Sequence, residues 1–155
     1  LTRARSTDPP SCPRAASAGD ILVTRLMMRG AAGVVTDGGL RDAHEIAGLD
    51  TPAYHARPSS PTNLTLHEAL DLNVPIGCGD APVFPGDIIV GDADCVIVIP
   101  QDIAAEVAAE ATEMTVYEDF VVEQVKAGAS IIGLYPGTKP EHAEAFAKWR
   151  KEKGR

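Results

Sequence analysis

Gly33-Val34-Val35-Thr36-Asp37-Gly38-Gly39-Leu40-Arg41-Asp42 is the stretch on which the fold turns. Two adjacent β-branched valines after Gly33 read as a short buried strand, and the paired glycines let the backbone turn sharply or approach a ligand. Upstream, Asp20-Ile21-Leu22-Val23-Thr24-Arg25-Leu26-Met27-Met28-Arg29 places Leu22, Leu26 and Met28 on one helical face, and Gly30 closes the helix. Helix, strand and glycine turn in that order point to an α/β protein. Gly19-Asp20 sits before the helix, whose N-terminal amides suit an anion. Directly after the glycines come a fixed cation and a carboxylate, Arg41-Asp42. Arg can grip a ligand carboxylate through two parallel hydrogen bonds, and Asp is a hard oxygen ligand for Mg²⁺. An Arg–Asp ion pair in a surface turn explains the same two residues, and motif chemistry alone does not separate these readings.

Working outward, short strands are expected at Ala53-Tyr54, Val74-Pro75-Ile76, 87–90 and 95–99, with Gly91-Asp92-Ala93-Asp94 as a hairpin-like turn between the last two. Pro82, Pro85 and Pro100 keep these strands short, which favours a sheet that wraps into a sandwich or barrel over an open plane. After Pro100, the spacing of Ile103, Val107, Ala111, Met114, Tyr117, Val121 and Val125 predicts a long helix ending at Gly128, with Asp102 at the cap position. A polar helix over 140–151 is expected to be peripheral. Residues 1–17, with Pro9, Pro10 and Pro13, read as a poorly structured segment and, since the chain begins with Leu1, as a truncation remnant. Residues 18–155 read as one domain.

The chain has 155 residues, 45% apolar and 23% charged, enough for one ordinary core. No apolar run approaches the roughly 18 to 20 residues of a membrane span, and the expectation is a soluble, cytoplasmic protein with no membrane partner. Net charge is −8, unevenly placed: residues 1–41 carry six Arg and three Asp, whereas 42–155 carry eight basic and 19 acidic residues. Between Asp42 and Glu123 the only basic residue is Arg57. Such a surface repels phosphate backbones, so no direct contact with nucleic acid is expected. Cys12, Cys78 and Cys95 are odd in number and lack CxxC spacing, against a disulfide framework or structural zinc site. His44, His55 and His67 share no helical face, against a three-histidine zinc site, and His55 reads as structural. Gly-x-Gly patterns lack the spacing of a phosphate loop.

Taken together, Gly19-Asp20-Ile21-Leu22, Arg29 to Asp42, Pro85-Gly86-Asp87-Ile88-Ile89-Val90-Gly91-Asp92-Ala93-Asp94 and Val96-Ile97-Val98-Ile99-Pro100 resemble the family of 4-hydroxy-4-methyl-2-oxoglutarate aldolases and regulators of ribonuclease activity A, the RraA-like family. The similarity runs from about residue 14 to the C-terminus. It implies a swivelling β/β/α sandwich with a small central β-barrel, assembled as a homotrimer or dimer of trimers with sites between subunits. In the aldolase branch it implies a lyase dependent on Mg²⁺ or Mn²⁺ that splits 4-hydroxy-4-methyl-2-oxoglutarate into two pyruvates and decarboxylates oxaloacetate. Carried across by motif, Asp42 would ligate the metal directly and Arg41 would contact the keto-acid end of the substrate. Gly19, Asp20, Ile21 and Leu22 would form a substrate-binding loop, and Asp20 would hold a water of the metal's shell as base. Glu118, counted back from Gly128, would complete the outer shell from a neighbouring subunit. Asp87, Asp92 and Asp94 become turn residues whose side chains satisfy backbone groups.

The chain also departs from the family pattern. Cys95 stands where the family usually has glycine, so strain is expected there if the position needs a positive φ. The family carries a substantial segment before the Gly19-Asp20 loop, so part of the fold is expected to be missing here. The rival reading is a non-catalytic regulator that binds and inhibits ribonuclease E, its acidic surface meeting a basic segment of that partner. Presence of Asp20, Arg41 and Asp42 together favours catalysis, since an interaction protein has no need of that triplet.

Overall fold

The computed structural model describes residues 15–62 and 68–155. The chain divides into two compact units, one running to Gln101 and the other covering Asp102–Arg155. In the first, β1 (Ala16–Ala18) passes through Gly19 straight into α1 (Asp20–Met28). Then come β2 (Val34–Val35), β3 (Gly39–Leu40), a single helical turn α2 (Ala43–Ile46), β4 (Ala53–Tyr54) and β5 (Arg57–Pro58). Strands β1, β3 and β5 pair in parallel in that order, and β2 pairs in parallel with β4. Parallel neighbours need crossover connections, which is why helices alternate with strands here. The expected α/β class is therefore what forms.

Ala18, Val23, Leu40 and Ile46 make the core of this layer, with Val34, Leu49 and Ala53 against it. The buried face of α1 is thus Val23, which is fully inaccessible, and not Leu22, Leu26 and Met28, all of which remain exposed. Val23 closes the first turn of α1 and is the helix residue that shares this core with Leu40 and Ile46.

Two antiparallel hairpins complete the unit: β6 (Ile76–Cys78) with β7 (Ala81–Val83), and β8 (Ile88–Gly91) with β9 (Val96–Ile99). The expected turn between β8 and β9 is present. Asp92 Oδ1 accepts the Asp94 and Cys95 amides at 2.8 and 3.1 Å, and the Asp92 amide donates to the Cys95 carbonyl at 3.0 Å. Asp87 Oδ2 accepts the Phe84 amide at 2.8 Å. These two carboxylates are therefore occupied in closing turns. A closed central barrel is not formed by the described residues, whose strands lie in four separate ladders of two or three strands. Strands of two to four residues, with Pro58 and Pro82 lacking ladder donors, end before a further neighbour can pair.

The second unit is a helical hairpin of α3 (Ala104–Lys126) and α4 (Pro140–Lys153). Helix α3 begins with Ile103, not Asp102, at its cap position, and no side chain caps it. Its buried residues are Val116, Phe120 and Val121, which share a core with Leu134 and Trp149 and are flanked by Tyr117 and Phe146. Of the predicted stripe, Val121 is buried while Ile103, Met114 and Val125 are exposed, because within this unit apolar cover comes only from α4 and the segment around Leu134. Helix α4 is accordingly not peripheral. Its Phe146 meets Tyr117 edge-on at 5.1 Å between centroids, and Trp149 packs on Phe120 at 5.7 Å. Arg150 grips Glu113 through both η nitrogens at 2.6 and 2.8 Å, and Trp149 Nε1 donates to Glu123 Oε2 at 3.0 Å.

Candidate functional site

Strand pairing brings the two polar motifs together. The Arg41 amide donates to the Ala18 carbonyl at 2.9 Å, so the turn after β3 lies beside the residue that leads into Gly19-Asp20. Gly19 is extended at the head of α1, and Asp20 is the first helical residue. A side chain on Gly19 would place its Cβ 3.0 Å from Asp42 Oδ2 and 3.3 Å from Arg41 Nη2. The absence of one lets the Arg41–Asp42 pair sit directly on the helix entrance. Asp42 caps α2 with φ 58° and ψ 40°, left-handed backbone that a non-glycine residue rarely adopts.

Arg41 Nε donates to Asp42 Oδ2 at 3.0 Å, with both side chains about a third or more exposed. This hydrogen bond and the guanidinium charge hold the Asp42 carboxyl below the ordinary carboxylate range; hydrogen bonding to the Asp20 main chain and side chain lowers it further, and desolvation opposes. Asp42 is therefore ionised at neutral pH. Asp20, Arg41 and Asp42, predicted from the sequence, do come together, with Gly19 between them, and Ile21 and Leu22 leave this point as exposed apolar side chains on α1.

Glu118 lies on α3 in the other compact unit, where its Oε1 accepts the Tyr135 hydroxyl at 2.7 Å. That interaction and the Glu118 charge push the Tyr135 phenol up. His44 is on α2, His55 follows β4, and His67 and Cys12 lie outside the described residues. Among the described residues no three His, Cys, Asp or Glu gather into a metal site. Cys78 ends β6, where burial first and the Asp37 charge second push its thiol up, so it is no activated nucleophile. Cys95 does not carry the strain expected of it. The non-glycine residues with positive φ among those described are Asp42 and Asn73.

Separately, a cavity of about 880 Å³ opens within the first unit, lined in part by Asp37, Tyr54, His55 and Cys78. His55 Nδ1 is buried without a hydrogen-bond partner. Gly19, Asp20, Arg41 and Asp42 are not among the lining residues.

Two residues around the site carry no role in the sequence reading. Thr36 Oγ1 accepts the Gly38 amide at 3.0 Å, a local pattern that a Thr two residues before a glycine signals. Ser17 Oγ lies 2.7 Å from Thr36 Oγ1, a contact across 19 residues with no local signature.

Residues 7–98 match the family model RraA-like, described as Aldolase/RraA. A protein of Halalkalibacterium halodurans named "Putative 4-hydroxy-4-methyl-2-oxoglutarate aldolase" is 41% identical over 90 residues, 58% of this chain and 42% of that protein. The solved structure of Streptomyces coelicolor RraAS2, described as an unusual member of the RNase ES inhibitor RraA protein family, is 26% identical with a TM-score of 0.68, covering 76% of this chain and 60% of that one. A structure of an uncharacterized protein from Pseudomonas syringae pv. tomato shares the fold, with a TM-score of 0.74 at 23% identity over 81% of this chain and 62% of that one. The chain spans about half the length of the curated relatives it matches. With the Gly19-Asp20 and Arg41-Asp42 motifs both inside a match that covers more than half of its residues, this chain belongs to the RraA-like, or Aldolase/RraA, family.

Proposed function

We propose that this chain carries the site of a pyruvate-releasing lyase that cleaves 4-hydroxy-4-methyl-2-oxoglutarate and decarboxylates oxaloacetate with the help of Mg²⁺ or Mn²⁺. The observation that carries this reading is the Arg41–Asp42 pair held against Gly19-Asp20, inside the stretch matched by the aldolase family model.

The donor chemistry suits a hard divalent cation. Asp42 offers an ionised carboxylate, the Asp20 side chain supplies further oxygen donors beside it, and the missing side chain of Gly19 leaves space at Asp42 Oδ2. Mg²⁺ is usually held by one or two carboxylates and keeps several waters, so a three-residue cluster is not required. Asp42 would hold the cation directly and Asp20 through water, with Glu118 of a neighbouring subunit assigned to the outer shell in a homotrimer or dimer of trimers. A bound cation would supply positive charge where the keto oxygen becomes negative.

This chain's own residues would do the rest. The Arg41 η nitrogens would grip the keto-acid end, Nε being committed to Asp42. The amides opening α1 would donate to the other carboxylate, and exposed Ile21 and Leu22 would flank the apolar part of the substrate. Asp20 would take the C4 hydroxyl proton through a water as the C3–C4 bond breaks. The electron pair then passes to the keto-acid half as an enolate, whose charge Arg41 offsets before reprotonation yields pyruvate.

The test is pyruvate release from both substrates with Mg²⁺, with EDTA and in Asp42→Asn. Asn is the cleaner replacement because it tolerates left-handed backbone and removes only the charge. A loss of about 100-fold or more in both the EDTA and Asp42→Asn arms is expected; full activity in either rejects the metal role. The second reading, inhibition of ribonuclease E, is favoured by the likeness to the Streptomyces member of an RNase ES inhibitor family and by the net −11 of residues 42–155. Ribonuclease inhibition without pyruvate release would establish it instead.

A further inference from the structure

We infer that the Ser17–Thr36 hydroxyl pair is a positioning device that sets the spacing between Asp20 and Asp42. The inference rests on the reading that these carboxylates hold a divalent cation. In the parallel β1–β3 ladder, Ala16 is opposite Gly39 and Ala18 opposite Leu40, so the register shifts across Ser17. One extra residue on β1 leaves Ser17 without a ladder partner, a bulge of the kind that re-aims a strand beside a site.

Side chains take over where the ladder fails. Ser17 Oγ lies 2.7 Å from Thr36 Oγ1, and Thr36 Oγ1 accepts the Gly38 amide at 3.0 Å. A Cβ on Gly38 would overlap Ser17 Oγ, so glycine is required for the hydroxyl to come this close. Two residues beyond Ser17 the chain reaches Gly19-Asp20; four beyond Gly38 it reaches Asp42. Backbone bonds flank this point, with the Arg41 amide on the Ala18 carbonyl between β3 and β1 and the Ser59 amide on the Leu40 carbonyl between β5 and β3. Beside the Arg41–Ala18 backbone bond, the hydroxyl pair is thus a side-chain joint between the segment bearing one carboxylate and the segment bearing the other.

The test is Mn²⁺ binding by the full chain, read by electron paramagnetic resonance of free Mn²⁺, with folding followed by circular dichroism. Thr36→Val keeps the shape and removes the acceptor for Gly38 and the partner for Ser17. It should weaken Mn²⁺ binding about tenfold or more, the usual effect of losing a group that orients a ligand. Ser17→Ala should weaken it in the same direction, and Thr36→Ser should bind within about twofold of wild type. Should Thr36→Val fail to fold, Ser17→Ala and Thr36→Ser decide the matter.

Folded variants that bind Mn²⁺ like wild type, or a loss in Thr36→Ser equal to that in Thr36→Val, overturn the inference while the cation reading stands. Lowered thermal stability with unchanged binding also overturns it. Wild type that fails to bind Mn²⁺, or Asp42→Asn that binds as wild type does, overturns the cation reading and this inference with it.

Discussion

Asp42 holds φ 58° while its carboxylate is tied to Arg41, so one residue combines an uncommon backbone conformation with an ionised side chain at the candidate site. Such outliers persist where the surroundings over-determine them, and here the Arg41 amide on Ala18 and the close approach to Gly19 do so. Gly19→Ala is the direct probe. Its Cβ would sit 3.0 Å from Asp42 Oδ2, tight enough that the carboxylate or Arg41 must give way. Under the proposed function pyruvate release should fall about tenfold or more, while the thermal midpoint, followed by circular dichroism, moves little because Gly19 is extended and any residue adopts that backbone. Arg41 and Asp42 were legible in the sequence as candidates because a cation and a carboxylate follow paired glycines, and Asp20 because the family resemblance covers Gly19-Asp20-Ile21-Leu22. Ser17 and Thr36 were not, because their contact spans 19 residues and depends on a bulge that no spacing rule announces.

Element by element, periodicity located helices well and their buried faces poorly. The predicted helix over 20–29 is α1 at Asp20–Met28, yet its core residue is Val23. The long apolar stripe is a real helix, yet burial concentrates at Val116, Phe120 and Val121, where the aromatic residues of α4 lie. A stripe marks which residues could be buried; the partner decides which are. Phe120, outside the predicted stripe, is 1% exposed and touches three aromatic rings. Phe120→Ala should therefore cost about 3–5 kcal/mol, measured by urea unfolding with helix content as the readout. Met114→Ala, at an exposed stripe position, should change stability by less than about 0.5 kcal/mol in the same assay.

Across the whole molecule, acidic residues outnumber basic ones, and several carboxylates are held ionised by structure. Arg41 lowers Asp42, the Cys95 and Asp94 amides lower Asp92, Arg150 lowers Glu113, and Trp149 with Lys153 lowers Glu123. Each folded-state value lies below its unfolded one. Their contribution to stability is therefore complete above the ordinary carboxylate range and is lost as pH falls through the folded values. Urea midpoints should stay level from neutral pH down to that range and then drop, more gently in a Glu113→Gln, Glu123→Gln double variant; an unchanged acid limb there would show these two groups to be uninvolved. The sequence by itself determined the α/β class from local pattern and the family from its joint motifs, and that resemblance is what implied the turn roles of Asp87 and Asp92 and made Asp20, Arg41 and Asp42 the candidate residues. Only the tertiary structure decided that β1 runs beside β3, that Gly19 leaves the room Asp42 and Arg41 occupy, that Ser17 meets Thr36, and that α4 covers Phe120. Those facts depend on pairing register and on which side chains meet across long separations, which are properties of packing and absent from any single window of residues.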